Sequence, residues 1–413
     1  MNSFNFHPMK VQVLLLCLIS ILACGQPKPV PAPGHLDTPA EITLMTGAER
    51  LDLYLPILKD KRVGIIANAT SLVEGTHLVD TLLTRGINVA KVFAPEHGFR
   101  GNKSDGATIV DEVDSKTGIP VLSVYGKTKK PTPQMLEGLD ILVFDIQDVG
   151  VRCYTFISTM HLCMEAAAEN KLPFVVLDRP NPNGFYFDGP LMQPRHMSFV
   201  GMHPIPLVHG LTVGELANMI DQEGWLDTES FLDLTVVPCM DYTHGDRYVL
   251  PVAPSPNLPN MAAVYLYPSL VLLEATVTSV GRGTDKPFQR AGFPGNTEGL
   301  VEWTPVSLPG VSLHPKAEEE VCSGWNATAA DVNYTFTEQQ LDLRWMLRTH
   351  QAHGDSEAFF NRAKFFDRLA GTGALRRSIQ AGFDETSIRA TWESDLASYA
   401  KLRSKYLLYP DFK

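Results

Sequence analysis

Between residues 62 and 177, short β-branched runs alternate with stretches of helical periodicity, and that alternation leaves few folds open. The runs at 62–67, 88–93, 120–124, 139–144 and 173–177 are mostly apolar on both faces. A strand must be so when helices cover it from both sides, which is the condition of a parallel sheet. Between and after these strands, 77–85, 159–170 and 212–223 carry helical spacing. The last of them opens on Thr212 with Glu215 three residues on, the pattern of a reciprocal helix cap. The expected fold is α/β, an open doubly wound parallel sheet.

A chain of 413 residues exceeds one ordinary core, so two domains are expected. Residues 251–268 are dense in proline and asparagine and separate the alternating region from a part of different texture. The boundary falls there, giving a first domain over 43–260 and a smaller α+β C-terminal domain over 261–413. The latter is expected to end in helices over 357–370 and 387–406. No internal repeat interrupts this plan.

The first residues are a targeting signal rather than part of the fold. Lys10 precedes an apolar run, 11–23, that is too short to span a bilayer, as in a secretory signal peptide. It closes on Ile21-Leu22-Ala23-Cys24-Gly25, which resembles the lipobox of bacterial lipoproteins. Residues 1–24 are therefore read as a lipoprotein signal with Cys24 as the acylated residue. The proline-rich stretch within 25–42 is an extended tether that cannot join a sheet. The expected location is the cell envelope, as a periplasmic lipoprotein anchored to a membrane, the outer membrane first among the choices. Cys153, Cys163, Cys239 and Cys322 remain, without metal-ligand spacing, and read as buried small hydrophobes rather than disulfides.

A net charge of −11 disfavours nucleic acid as a partner, because no basic surface is available to release its counterions. HExxH, a Walker loop and a GxGxxG after the first strand are all absent, so neither metal nor nucleotide cofactor is expected. The GxSxG elbow of an α/β-hydrolase esterase is missing too.

In open α/β sheets ligands bind beyond the carboxyl ends of the strands, and this chain concentrates polar residues there. Asn68-Ala69-Thr70-Ser71 follows the first strand, Pro95-Glu96-His97-Gly98-Phe99-Arg100 the second, Asp145 through Thr155 the fourth, and Asp178-Arg179-Pro180-Asn181 the fifth. These stretches, with Ser198-Phe199-Val200-Gly201, His209-Gly210-Leu211-Thr212, Pro254-Ser255-Pro256-Asn257 and Gly281-Arg282-Gly283-Thr284-Asp285, resemble a bacterial glycoside hydrolase family. That family, formerly a domain of unknown function, is now described as exo-β-N-acetylmuramidases. The resemblance runs from about residue 43 to residue 412. It implies a Rossmann-like catalytic domain, a C-terminal domain completing the active-site cleft, and release of N-acetylmuramic acid from the non-reducing end of peptidoglycan fragments.

The residues favour the same chemistry. Glycosidic cleavage needs an acid to protonate the leaving oxygen and a second group to meet the oxocarbenium-like centre. Glu96 is the acid candidate, with Pro95 fixing its approach and Gly98 admitting substrate near the backbone; Phe99 is expected on the cleft wall. Asp145 and Asp148 compete for the second role, or the substrate's own acetamido group takes it. Arg100, Arg152, Arg179 and Arg282 are candidates to pair with the lactyl carboxylate. Tyr154 could stack on the sugar, while Asn68, Gln147, Asp178 and Asn181 could hydrogen-bond it. His97 and His209 could carry protons or orient a carboxylate. Expected partners are muropeptides or peptidoglycan disaccharides, and a membrane through the lipid. The competing reading is a non-catalytic envelope lipoprotein that binds muropeptides; an amidase or deacetylase would need a metal or activated serine that the sequence does not offer.

Overall fold

The computed structural model describes Met1, residues 44–100 and residues 111–412. The signal, Cys24 and the tether lie outside the described residues. In chain order the strands are β1 Arg62–Ala67, β2 Leu72–Val73, β3 Thr76–His77, β4 Asn88–Ala94, β5 Glu112–Val113, β6 Pro120–Ser123, β7 Ile141–Asp145, β8 Phe174–Leu177 and β9 Leu234–Val237. The small hairpin β2–β3 stands apart, and the other seven form one sheet in the order β5-β6-β4-β1-β7-β8-β9. All its pairings are parallel except that of the edge strand β5. The order runs outward from β1 through β4 and β6 on one side and through β7, β8 and β9 on the other. This is a doubly wound Rossmann-type sheet whose switch point lies between β1 and β7. Each of the five expected strands is present to within two residues. The edge strands β5 and β9 were not expected; they are short and partly exposed, so they lack the doubly apolar signature of the inner ones.

Period-two alternation sends neighbouring side chains to opposite faces. Val63, Ile65, Val143 and Val175 join a core with Tyr54 and Leu58 of α1 (Leu51–Leu58) and Leu78 and Leu82 of α2 (Leu78–Thr84). Ile66, Leu142, Phe144 and Val176 join the other core, against α3 (Pro133–Leu136), α4 (Phe156–Glu169) and α5 (Val213–Gln222). The predicted cap of α5 is present, with the Thr212 hydroxyl accepting from the Glu215 amide and the Glu215 carboxylate accepting from the Thr212 amide. The proline-dense segment becomes helix in its second half, α6 (Met261–Leu270). Asn260 caps it, and its residues from Ala263 to Leu270 are buried, Pro268 included.

The second core continues without a break through α6 into the C-terminal region, reaching Trp345, Phe366, Trp392 and Tyr399. That region holds a three-stranded antiparallel sheet with Cys322–Asn326 between Arg290–Pro294 and Val301–Trp303. Helices then follow as far as Arg403. The two long helices expected near the end are each broken. Ser356–Phe359 and Ala363–Ala370 are separated where Phe359 and Phe360 both turn into the core. Glu385–Ala390 and Glu393–Arg403 are separated at Trp392, whose indole nitrogen donates to Asp188 at 3.1 Å. All four remaining cysteines are buried free thiols.

Candidate active site

A cavity of about 620 Å³ opens over the carboxyl ends of β4 and β6 and the amino end of α4. Glu96 lies on its wall, set there by a tight turn in which the Gly98 amide donates to the Pro95 carbonyl at 3.0 Å. The turn puts His97 at φ +68°, a conformation that a non-glycine residue keeps only where its surroundings hold it. The Tyr125 hydroxyl donates to Glu96 Oε1 at 2.7 Å, and the Thr155 hydroxyl to Oε2 at 3.0 Å. Each oxygen of this half-buried carboxyl thus has a hydroxyl partner that can donate to the charged form or accept from the neutral one. Thr155 stands at the N-cap of α4 but makes no cap hydrogen bond there; its hydroxyl serves Glu96 instead.

The rest of the wall comes from distant segments. Tyr154 faces the cavity with its hydroxyl donated to the Pro254 carbonyl at 2.9 Å and its ring edge-on to Phe156 and Tyr267. Asn257 is buried on the cavity wall, with its amide nitrogen on the Val311 carbonyl at 3.1 Å; its Oδ1 has no hydrogen-bond partner among the described residues. Arg282 reaches the cavity but is paired with Glu274 through two contacts of 2.5 and 3.1 Å. Arg368 and Lys129 also line it. Lys129 sits 4.4 Å over the Phe199 ring, and neither cation makes an ion pair among the described residues. Positive charge not cancelled by a carboxylate therefore enters from these two residues.

Several expected site residues lie elsewhere. Asp145 is fully buried at the end of β7, held by Arg179 through bonds of 2.6 and 2.9 Å. This pair fills the sheet's switch point, so neither member faces the cavity. Arg152 is also fully buried, donating to the carbonyls of Pro190 and Ile205 and, at 2.8 Å, of Leu369. Burial pushes its guanidinium down to about 10. Its work is to clamp three segments together. Gly371, at φ +80°, is part of the same junction, since a Cβ there would lie 2.9 Å from an Arg152 nitrogen. Arg100 makes a two-pronged bond to Asp114 at 2.9 and 2.8 Å, which holds that carboxyl well below its usual range, and contacts Asp80 at 3.4 Å. Phe99 packs edge-on to His77 in the core under the sheet and is no part of the cleft wall.

The remaining polar candidates are tied into loops. Asp148 Oδ2 accepts from the Gly150 amide at 2.7 Å and stands 3.3 Å from His209 Nε2. Since His209 Nδ1 accepts from the Leu211 amide, a neutral His209 carries its proton on Nε2, which makes no hydrogen bond among the described residues. Gln147 donates to the carbonyls of Asp148 and Pro180, and Asn181 donates to that of Leu211. Asn68 caps its own turn through the Thr70 amide and hydroxyl, and lines a smaller adjoining space of about 280 Å³ that shares His97 and Ser255 with the main cavity. Asp178 is buried beneath Thr212, Gly214 and Tyr409, each donating to it. Burial raises its carboxyl to about 6.

Of the expected set, Glu96, His97, Tyr154 and Arg282 are therefore brought together, and the structure adds Tyr125, Thr155, Asn257, Lys129, Glu274 and Arg368. Thr155 and Asn257 stand inside stretches already singled out, and Tyr125 directly follows a predicted strand. Arg368 carries no local sequence signal.

Two family models match the chain: exo-beta-N-acetylmuramidase NamZ, N-terminal, over residues 63–262, and exo-beta-N-acetylmuramidase NamZ, C-terminal, over 265–409. A curated protein of Bacillus subtilis, peptidoglycan beta-N-acetylmuramidase NamZ, is 41% identical over 375 residues, covering 86% of this chain and 89% of that protein. Two crystal structures of DUF1343 family proteins from Bacteroides fragilis also match. They superpose with TM-scores of 0.81 and 0.75 at 42% and 31% identity, each alignment covering 89% of this chain and 99% of the other.

Proposed function

The chain belongs to the exo-β-N-acetylmuramidase NamZ family, and on that premise we propose that Glu96 is the acid that protonates the leaving oxygen as N-acetylmuramic acid is released from the non-reducing end of its substrate. The protein is a glycosidase, an exo-β-N-acetylmuramidase acting on peptidoglycan-derived material. A purely binding lipoprotein is not favoured. The observation that carries the residue assignment is the seat of Glu96, a carboxyl on the cavity wall with hydroxyls on both oxygens.

The second catalytic role falls to the substrate. Asp145 and Asp148 are buried off the cavity, and Glu274, the other carboxylate described on its wall, is fixed to Arg282. In our reading the acetamido carbonyl oxygen of the sugar attacks C1 while the glycosidic bond breaks toward the oxygen that Glu96 protonates. Water then opens the cyclic intermediate, giving its proton back to Glu96. Asn257 would accept the acetamido N–H at Oδ1 and orient that group for attack, a role supported by its lining the cavity with that oxygen unpartnered among the described residues. Arg368 and Lys129 are the cations offered to the lactyl carboxylate.

Glu96→Gln keeps the shape and removes the proton. Turnover of the N-acetylmuramyl-N-acetylglucosamine disaccharide should fall by roughly 100-fold to 10,000-fold while substrate still binds, and an aryl glycoside with a good leaving group should lose less. Near-normal release of N-acetylmuramic acid by the folded variant would remove Glu96 from the role.

Attachment to the envelope is the second part of the proposal, supported by the lipobox-like run at Cys24 and the proline tether behind it. The protein would be a periplasmic lipoprotein held at a membrane, the outer membrane being the expected one. Cys24→Ser should turn a membrane-retained protein into a soluble envelope protein on fractionation. Unchanged retention would reject the anchor.

A further inference from the structure

Beside the main cavity lies a second, of about 450 Å³, and the two share Glu274, Arg282 and Phe365 as a common wall. A group bound in one could reach the other past the Arg282–Glu274 pair. The second cavity has its own chemistry. Arg362 stands at its edge with the guanidinium 4.5 Å over the Phe365 ring and no hydrogen bond or ion pair among the described residues. Lys316 gives its ammonium protons to the carbonyls of Leu273, Glu274 and Thr276, so it supplies charge without a free donor. Burial pushes that ammonium down to about 8, with Glu274 opposing and the guanidiniums of Arg362 and Arg282 adding to the effect.

An independent sign comes from elsewhere on the wall of this cavity. Thr278 is fully buried, lines this cavity, and its hydroxyl has no partner among the described residues. A buried hydroxyl left unpaired is destabilising unless something else meets it. Ser312 is buried on the same wall. Three cations against Glu274 alone, together with an unused hydroxyl, suit an oxyanion arriving on an otherwise polar ligand.

We propose that this second cavity is an accessory subsite that binds a further carboxylate of the same substrate molecule, one beyond the carboxylate of the sugar being released. The inference rests on the muramidase reading above. A peptidoglycan fragment offers such a group in two places, the lactyl carboxylate of the next N-acetylmuramic acid along the glycan and the carboxylates of a stem peptide. Either approaches the shared wall from a sugar seated in the main cavity, and Arg362 and Thr278 meet it.

The test compares wild type, Arg362→Glu and Thr278→Val on three substrates: the unsubstituted disaccharide, a tetrasaccharide of two such units, and the same tetrasaccharide carrying a stem peptide on its second N-acetylmuramic acid. For Arg362→Glu, KM should rise roughly tenfold on at least one of the acidic-substituted substrates with kcat little changed. Thr278→Val should shift the same substrate in the same direction by less. Both variants should match wild type on the disaccharide, which has no second carboxylate. A shift confined to the tetrasaccharide assigns the group to the glycan, and one confined to the peptide form assigns it to the stem. Equal losses on all three substrates, or no change on either acidic one, would overturn the subsite. Should wild type fail to release sugar from the disaccharide, the muramidase reading falls. The subsite is then judged by titrating the same ligands into Glu96→Gln with and without Arg362→Glu, where equal affinity would overturn it separately.

Discussion

Asp178 shows how a single buried group can set a pH dependence that sequence alone hides. Its carboxyl is taken out of water at the end of β8, and burial raises it from 3.8 to about 6. The folded state therefore binds this proton more tightly than the unfolded one. The stability it contributes is fully present below about pH 4 and is lost as pH rises through about 6, a change on the order of 3 kcal/mol. Asp178→Asn should remove that component while keeping partners, because the hydroxyls of Thr212 and Tyr409 can reverse to accept from an amide. Denaturant unfolding of both proteins from pH 4.5 to 7.5 gives the check. His77 and His203, both lowered by burial, pull the other way in this window but are common to both proteins. The difference between the two curves should thus shrink or reverse as pH rises; a constant difference would remove Asp178 from the account.

At the scale of the element, the helix Ala363–Ala370 carries the proposed reading of the sugar. It presents Phe365, Arg368 and Leu369 to the main cavity at i, i+3 and i+4, one face of the helix. Arg368→Ala should narrow the preference for an N-acetylmuramide over an N-acetylglucosaminide by roughly tenfold in kcat/KM, the scale of one hydrogen bond to a charged group. A chromogenic pair of substrates measures it, and an unchanged ratio would return the carboxylate to another residue. This also marks the limit of what the sequence discloses. The five inner strands were legible because burial on both faces leaves long apolar runs, and Thr212 with Glu215 announced α5 through spacing alone. Glu96 was legible because a strand end followed by proline and glycine is a local pattern. The arginines were not. Arg152 and Arg368 are the same side chain in a sequence, yet one meets three buried carbonyls and the other an open cavity. Long-range packing makes that distinction.

For the whole molecule, the sheet keeps the nucleotide-binding strand order but opens its main cavity elsewhere. Its switch point is occupied by Asp145 and Arg179 and by the turn at Asn68, which caps itself through Thr70. The open cavity lies instead over β4, β6 and the start of α4, with its far wall drawn from α6 and the C-terminal helices. The chain then returns on itself. Tyr409 donates to Asp178 across 231 positions, Leu408 donates its amide to Glu215, and Tyr399 and Arg403 reach the carbonyls of His209 and Gly210. A chain is synthesised from its amino end, so the sheet is made first and these partners last. Until Leu408 and Tyr409 leave the ribosome, Glu215 and Asp178 lack those bonds, and closing such distant pairs is slow because so much chain must be ordered at once. The lobe that carries Glu96 is thus made before it can be finished, so enzyme activity should arise only in molecules that include residues 399–409.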